Sequence, residues 1–313
     1  YSVENLTYKD QFNVLKHQII DIANTAKAMG KTEAVAAICW IQGEANHQAY
    51  QRKGYAFDDE ITADTYEYMR RLEYLISQID KVIIDNCIDQ DFTPYVFTYQ
   101  TEGHRGYTYK DVGGIVCEDT VASAQWFLSK NNERVSLAVP VYALSKNDRD
   151  NIHLTHVGSW LLGAYMARAM EHTMHRRLGK WRPLEPTHWD WQDTHCDINF
   201  HVPVGKLVFD TYFCPQQPNQ GFDIWIDKTL QASAISSVSL LDDKTVRVSF
   251  SAVQPNTARL TYCLGRDDTA PRAMGNLRDT HGDSDIVTDP FGNTHNLHNP
   301  SVMFNIHKTR GFI

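Results

Sequence analysis

The sequence predicts an α/β unit built on a parallel sheet, followed by an all-β sandwich. Three observations carry this. Helix-periodic and strand-like stretches alternate over the first 180 or so residues. The strand-like stretches are short, continuous apolar runs, as expected for strands covered on both faces. Beyond Trp181 the text turns into closely spaced short strands bounded by turn residues. The boundary is set at residues 1–182 and 183–313, where Pro183, Pro186 and the tryptophans Trp181, Trp189 and Trp191 cluster.

In chain order, residues 11–29 place Phe12, Leu15, Ile19, Ile22, Ala23 and Ala26 at helical spacing, and Gly30 is a C-terminal stop. AVAAICWI, 34–41, reads as a buried strand, with Cys39 a small core residue. Residues 61–80 form a helix with Met69, Leu72, Leu75, Ile76 and Ile79 on one side. YVFTYQ, 95–100, is the second strand, 119–129 a short helix, and RVSLAVPVY, 134–142, the third strand. HLTHVGSWLLGAYMARAMEHTMHRR, from His153, reads as one long helix. In the second half LDDKTV reads as a tight turn between two alternating segments.

Bulk properties narrow the function classes. The 313 residues carry a net charge of −8, which argues against a nucleic-acid backbone as partner and gives no reason to expect binding to an anionic membrane. No apolar run reaches the roughly 18–20 residues that span a bilayer. YSVENLTYKD lacks the basic start and apolar stretch of a signal peptide, and lacks Met, which suits a processed or truncated chain. The six cysteines form no C-x-x-C pair and indicate no disulfide framework or zinc ribbon.

Two constellations carry chemistry. Gln42-Gly43-Glu44-Ala45-Asn46 follows a strand directly. Ligands of open parallel sheets bind outside the carboxyl ends of the strands. Gly43 allows close backbone approach, Gln42 offers an amide N–H to a developing oxyanion, and Glu44 can orient neighbours. Gln100 to His104 follows the next strand and should share that crevice. The bland alternative is a polar turn with a hydrogen-bonded glutamate. The second constellation is Asp150-x-x-His153, in which a carboxylate steadies one imidazole nitrogen while the other acts as general base. Its bland alternative is Asp150 as a helix N-cap and His153 as an exposed first-turn residue.

Taken together, WIQGEAN and DNIHLTHVGSWLLGAYMA resemble the third and closing blocks of SGNH hydrolases, in the sialate O-acetylesterase-like branch of carbohydrate O-acetylesterases. YVFTYQT and VASAQ are similar to that branch as well, and the resemblance covers roughly residues 10–180. It implies a flavodoxin-like three-layer core. It also implies His153 as base, Asp150 as its partner, Gln42 as oxyanion donor, support from Gly43, Glu44 and Asn46, and Gln100 at the pocket. No metal or organic cofactor is implied. The implied substrate is an acetylated glycan, such as a bacterial surface polysaccharide. The tail containing GNLRDTHGD is similar to C-terminal domains of phage and bacterial proteins with such modules. That likeness implies an extracellular or virion-associated setting, as in a phage tailspike, and by analogy a homotrimer.

The family's nucleophile, a serine in a Gly-Asp-Ser or Gly-Gln-Ser turn after the first strand, is absent ahead of Gln42, and so is the second block's glycine. Ser2 follows no strand. The literal Gly282-Asp283-Ser284 neither follows an apolar strand nor opens a helix. The expectation is therefore a core lacking its first strand or strands, with the serine on an upstream segment or a separate chain. Two other readings compete. One is a metal-dependent hydrolase using His153 and His156 with Asp148 or Asp150. The other is a non-catalytic carbohydrate-binding or structural module using Trp189, Trp191, Tyr212 and Trp225.

Overall fold

The computed structural model describes residues 10–44, 46, 65–87, 90–103, 120–149, 152–227, 229–264 and 274–312. Its first half is α1 (Asp10–Ala28), β1 (Ala37–Trp40), α2 (Thr65–Asn86), β2 (Tyr95–Gln100), α3 (Thr120–Asn131), β3 (Val135–Pro140) and α4 (His156–Met170). The three strands form one sheet in the order β1-β2-β3, and both pairings are parallel. Successive residues of a strand point to opposite faces. Val96 and Val135 therefore enter the cluster made with α1, α2 and α3, while Phe97, Tyr99 and Ala138 enter the one made with α4. The result is a three-layer α/β/α sandwich, and all three strands point their carboxyl ends to one edge. Among the described residues no helix is long and apolar enough to cross a membrane.

Two details depart from the apolar pattern. α1 buries Ile19 and Ala23, whereas Leu15 and Ile22 of the same expected stripe are exposed. Cys39 is exposed rather than a core residue: β1, unlike the other outer strand β3, is only partly covered. Among the described residues the cysteines are free, and Cys117 lies outside them.

The second half is β-rich and antiparallel. Its strands are β4 (Glu185–Trp191), β5 (His195–His201), β6 (Val208–Phe209), β7 (Phe222–Ile226), β8 (Thr229–Leu230), β9 (Ile235–Leu240), β10 (Thr245–Phe250), β11 (Ala258–Tyr262), β12 (Leu277–Arg278), β13 (Ile286–Thr288), β14 (Thr294–Asn296), β15 (Phe304–His307) and β16 (Gly311–Phe312). One sheet runs β4-β5-β10-β9 and the other β16-β15-β11-β7-β8. Alternate residues of β5 and β10, such as Ile198 and Val248, meet Ile224, Leu260 and Ile306 of the facing sheet. Leu241 donates its N–H to Thr245 O across the β9–β10 turn, where LDDKTV predicts one.

The two halves share apolar packing. Ala122, Trp126, Leu137 and Tyr142 belong to the same buried cluster as Leu184, Phe200 and Phe222. Polar bonds reinforce it: Trp126 Nε1 donates to Glu185 (2.7 Å), Tyr142 Oη to Ser301 O (2.8 Å) and Tyr165 Oη to His298 O (2.7 Å).

Candidate functional site

At the end of β1 the chain makes a short polar arch. Gln42 Nε2 donates to Asn46 Oδ1 at 2.6 Å, and the hydroxyl of buried Tyr68 lies 3.1 Å from Gln42 Oε1 and 3.0 Å from its carbonyl oxygen. Asn46 is 1% exposed, and among the described residues its Nδ2 has no hydrogen-bond partner. A buried amide N–H left unpaired costs about 1–3 kcal/mol, so an acceptor brought to this point would be gained at little expense. Glu44 accepts from Tyr99 Oη at 2.5 Å. Burial, and then the Glu44 charge, raise the Tyr99 phenol well above its ordinary pKa, so it stays a donor.

Gly43 is a glycine because of what lies beside it. A Cβ there would sit 2.8 Å from Gln125 Nε2 and 3.1 Å from Val121. Gln125 is fully buried; its Nε2 donates to Gln42 O (2.9 Å) and its Oε1 accepts from Thr101 N (2.8 Å). The α3 side chain thus ties the end of β1 to the end of β2. Sequence reasoning noticed VASAQ but missed the roles of Gln125, Tyr68 and Tyr99. Their partners are 24 to 83 residues away along the chain, beyond any local spacing.

The end of β3 is tied in by charge. Glu102, two residues past β2, forms an ion pair with Lys146, and each side chain is only 1% exposed. From Lys146 the chain turns back on itself: Lys146 bridges Leu154, Asn147 N donates to His153 O (2.8 Å), and Thr155 N donates to Ser145 O (3.0 Å). α4 then starts at His156, capped by Thr155, whose side chain accepts from Gly158 N. His153 is therefore not in the helix, contrary to expectation; it sits on an exposed loop before the cap. The cap role considered for Asp150 is filled by Thr155, and Asp150 itself lies outside the described residues.

The fold thus gathers Gln42, Gly43, Glu44 and Asn46 into one cluster, and puts His153 at the same edge on the loop beyond β3. β2 separates the two, so the strand ends are about 10 Å apart, two strand spacings. Gln100 faces elsewhere. It is fully buried, its Nε2 donates to Met303 O (2.9 Å), and its Oε1 accepts from Met303 N (2.7 Å). Its amide is engaged at the junction of the two halves and is not free to line a crevice.

Ser284 is exposed, with its hydroxyl 3.2 Å from His281 O, and it lines a cavity toward the other end of α4. His156 opens α4 while His153 precedes its cap, so the two do not share a helical face. Among the described residues no group of three or more His, Cys, Asp or Glu side chains is arranged to hold a metal ion. Of the aromatics considered for sugar stacking, Trp225 is fully buried, Trp189 and Trp191 pack against the core, and Tyr212 is 45% exposed.

No protein-family model matches the chain, and no curated protein matches it. Among solved structures it is similar to a carbohydrate acetylesterase from Xanthomonas citri, with a TM-score of 0.53 at 15% sequence identity. The match covers 86% of this chain and 50% of that one, so the chain spans about half the length of that relative. At this identity the likeness is one of fold: an α/β core carrying a β-rich unit.

Proposed function

We propose that this chain supplies the general base and the oxyanion pocket of a serine-type carbohydrate O-acetylesterase acting on an acetylated glycan. The observation that carries the reading is the cluster at the end of β1, where a buried amide whose Nδ2 has no partner among the described residues stands at the same sheet edge as His153. The fold likeness to a carbohydrate acetylesterase agrees with it. The proposed nucleophile is a serine on a segment ahead of Tyr1 or on a separate chain, docked along β1. The exposed side of that strand at Cys39 and the exposed Ile41 favour this.

The serine Oγ attacks the acetyl carbonyl and gives its proton to an imidazole nitrogen of His153. Negative charge builds on the carbonyl oxygen, where Asn46 Nδ2 donates to it. Gln42, which holds Asn46 Oδ1, orients that donor; the oxyanion role thereby passes from Gln42 to Asn46. Collapse of the intermediate breaks the ester C–O bond, and the leaving sugar oxygen takes the proton from His153. Water, deprotonated by His153, then attacks the acyl-serine; collapse breaks the acyl–Oγ bond, the serine oxygen takes the proton back from His153, and acetate is released. Asp150 is proposed to steady the imidazolium, and Glu44 to hold the arch through Tyr99. The test is acetate release from an acetylated glycan by the protein with its nucleophile segment present. His153→Ala should lower kcat by about 10²–10⁴ with an unchanged melting temperature. Near-normal turnover in that variant would overturn the base assignment.

A further inference from the structure

A second cavity, about 1050 Å³, opens at the far end of α4, between the two halves of the molecule. Arg168, on its wall, lies about 18 Å along the helix axis from His156. This is a separate place from the crevice at the strand ends. Its volume is of the size that takes small-molecule ligands, and junctions between units are common sites for them.

The wall is unusual in three ways. First, α4 does not simply end: it widens into a π-helical turn, Glu171–His175, closed by Arg176 N donating to Glu171 O (2.7 Å). Such turns are often found at functional sites. Second, among the described residues two buried donors on the wall have no acceptor. Arg168 has a side chain only 9% exposed; its Nη atoms are taken by Asp285, Asn299 and Leu297 O, but its Nε has no partner. Trp181 is 3% exposed, and its Nε1 has none either. Third, the lining charge opposes that of the whole chain. Arg168, Arg176, Lys180 and Arg182 face Glu171 and Asp285, in a protein of net charge −8. Asp285 is engaged by Arg168, and Arg182 pairs with Glu185. Burial, followed by the neighbouring arginines, lowers the pKa of His172 and His281, which also line the space.

Between these polar groups lie apolar surfaces: Ala164, Ala167, Leu178, Val204 and Leu297. A bare inorganic anion would leave those surfaces wet. A sugar ring has apolar C–H faces and, when it is a uronate, a carboxylate at one end. We propose that this cavity binds a carboxylate-bearing sugar unit of an acidic glycan, whose carboxylate accepts from Arg168 Nε and Trp181 Nε1 once a small shift of these side chains uncovers them. Binding here does not require the esterase reading.

The test is calorimetric titration of the full-length protein with oligogalacturonate, with a neutral galactose oligomer and inorganic phosphate as comparison ligands. Oligogalacturonate should bind, and the neutral oligomer should bind at least about tenfold more weakly. Trp181→Phe deletes the N–H together with part of the fused indole; it should weaken uronate binding about tenfold or more, as loss of a hydrogen bond to a charged group does. Arg176→Gln, on the exposed rim, should weaken it as well. Arg176→Gln should keep the wild-type melting temperature, Trp181→Phe should lower it modestly by leaving a small void, and both should hydrolyse a small acetyl ester at the wild-type rate. Three results would overturn the proposal: no uronate binding at millimolar concentration, equal binding of the neutral oligomer, or affinity unmoved in both variants. Phosphate binding as tightly as uronate would overturn the sugar as the ligand.

Discussion

β1 and β3 are written in similar apolar letters, AICW and VSLAVP, yet the molecule treats them differently. All six residues of β3 are buried, whereas none of the four in β1 is, and Cys39 is exposed. The chemistry divides the same way. The β1 end carries a neutral amide arch, and the β3 end carries a buried ion pair and a loop folded back by backbone hydrogen bonds. The lesson is that an apolar run reports that a segment is a strand, while its neighbours decide how deeply it is buried. The half-covered strand beside the polar arch is the side on which the proposed nucleophile segment would dock.

The largest effect that sharpens this comparison lies in the amide arch. Asn46→Ala should reduce kcat for acetate release by about 10²–10³, while Gln42→Ala, which frees Asn46 to turn, should cost only about tenfold. A change confined to KM in both variants would make the β1 end a substrate-binding surface and break the proposed division of labour. Next come the glycines on either side. A Cβ on Gly158 would lie 2.1 Å from the Ser145 carbonyl oxygen, which is backbone and cannot swing away. Gly158→Ala should therefore destabilise by about 3 kcal/mol in denaturant unfolding. Gly43→Ala meets the movable Gln125 amide and loses its bond to Gln42 O, costing about 1–2 kcal/mol. The reverse order would mean that the β3 loop is the softer of the two. The smallest effect is chemical. Cys39 should be alkylated well before the buried Cys196, Cys214 and Cys263, and a docked nucleophile segment should slow it. Equal rates with and without that segment would refute docking along β1.

Much of the scaffold could be read from the letters. YVFTYQ is β2 from its first residue to its last, and the apolar run before Gln42 is β1 with shorter ends. Helix-periodic segments became α1, α2 and α3 because their apolar spacing matches a helical stripe. The start of α4 was misplaced by three residues, since Thr155 competes with the earlier polar residues as cap and the 145–155 bridge holds His153 in a loop. The polar arch was legible as Gln-Gly-Glu at a strand end. The function of each member was not, because roles depend on which amide group remains unpaired, and that is a matter of three-dimensional neighbours. Gln100 illustrates the limit. Its position after a strand suggested a crevice residue, and only the fold reveals a backbone partner 203 residues later.

That pairing has a practical consequence. Gln100 and Met303 exchange hydrogen bonds in both directions, as two residues of adjoining strands do, although one is a side chain. The last residue of the middle parallel strand is in effect stitched into the β-rich half. Removing everything after residue 182 would unstitch it, strand a buried carboxamide, and loosen the strand end from which Thr101 and Glu102 reach toward both sides of the crevice. Anyone wishing to graft this crevice onto another scaffold would have to carry the sandwich along with it.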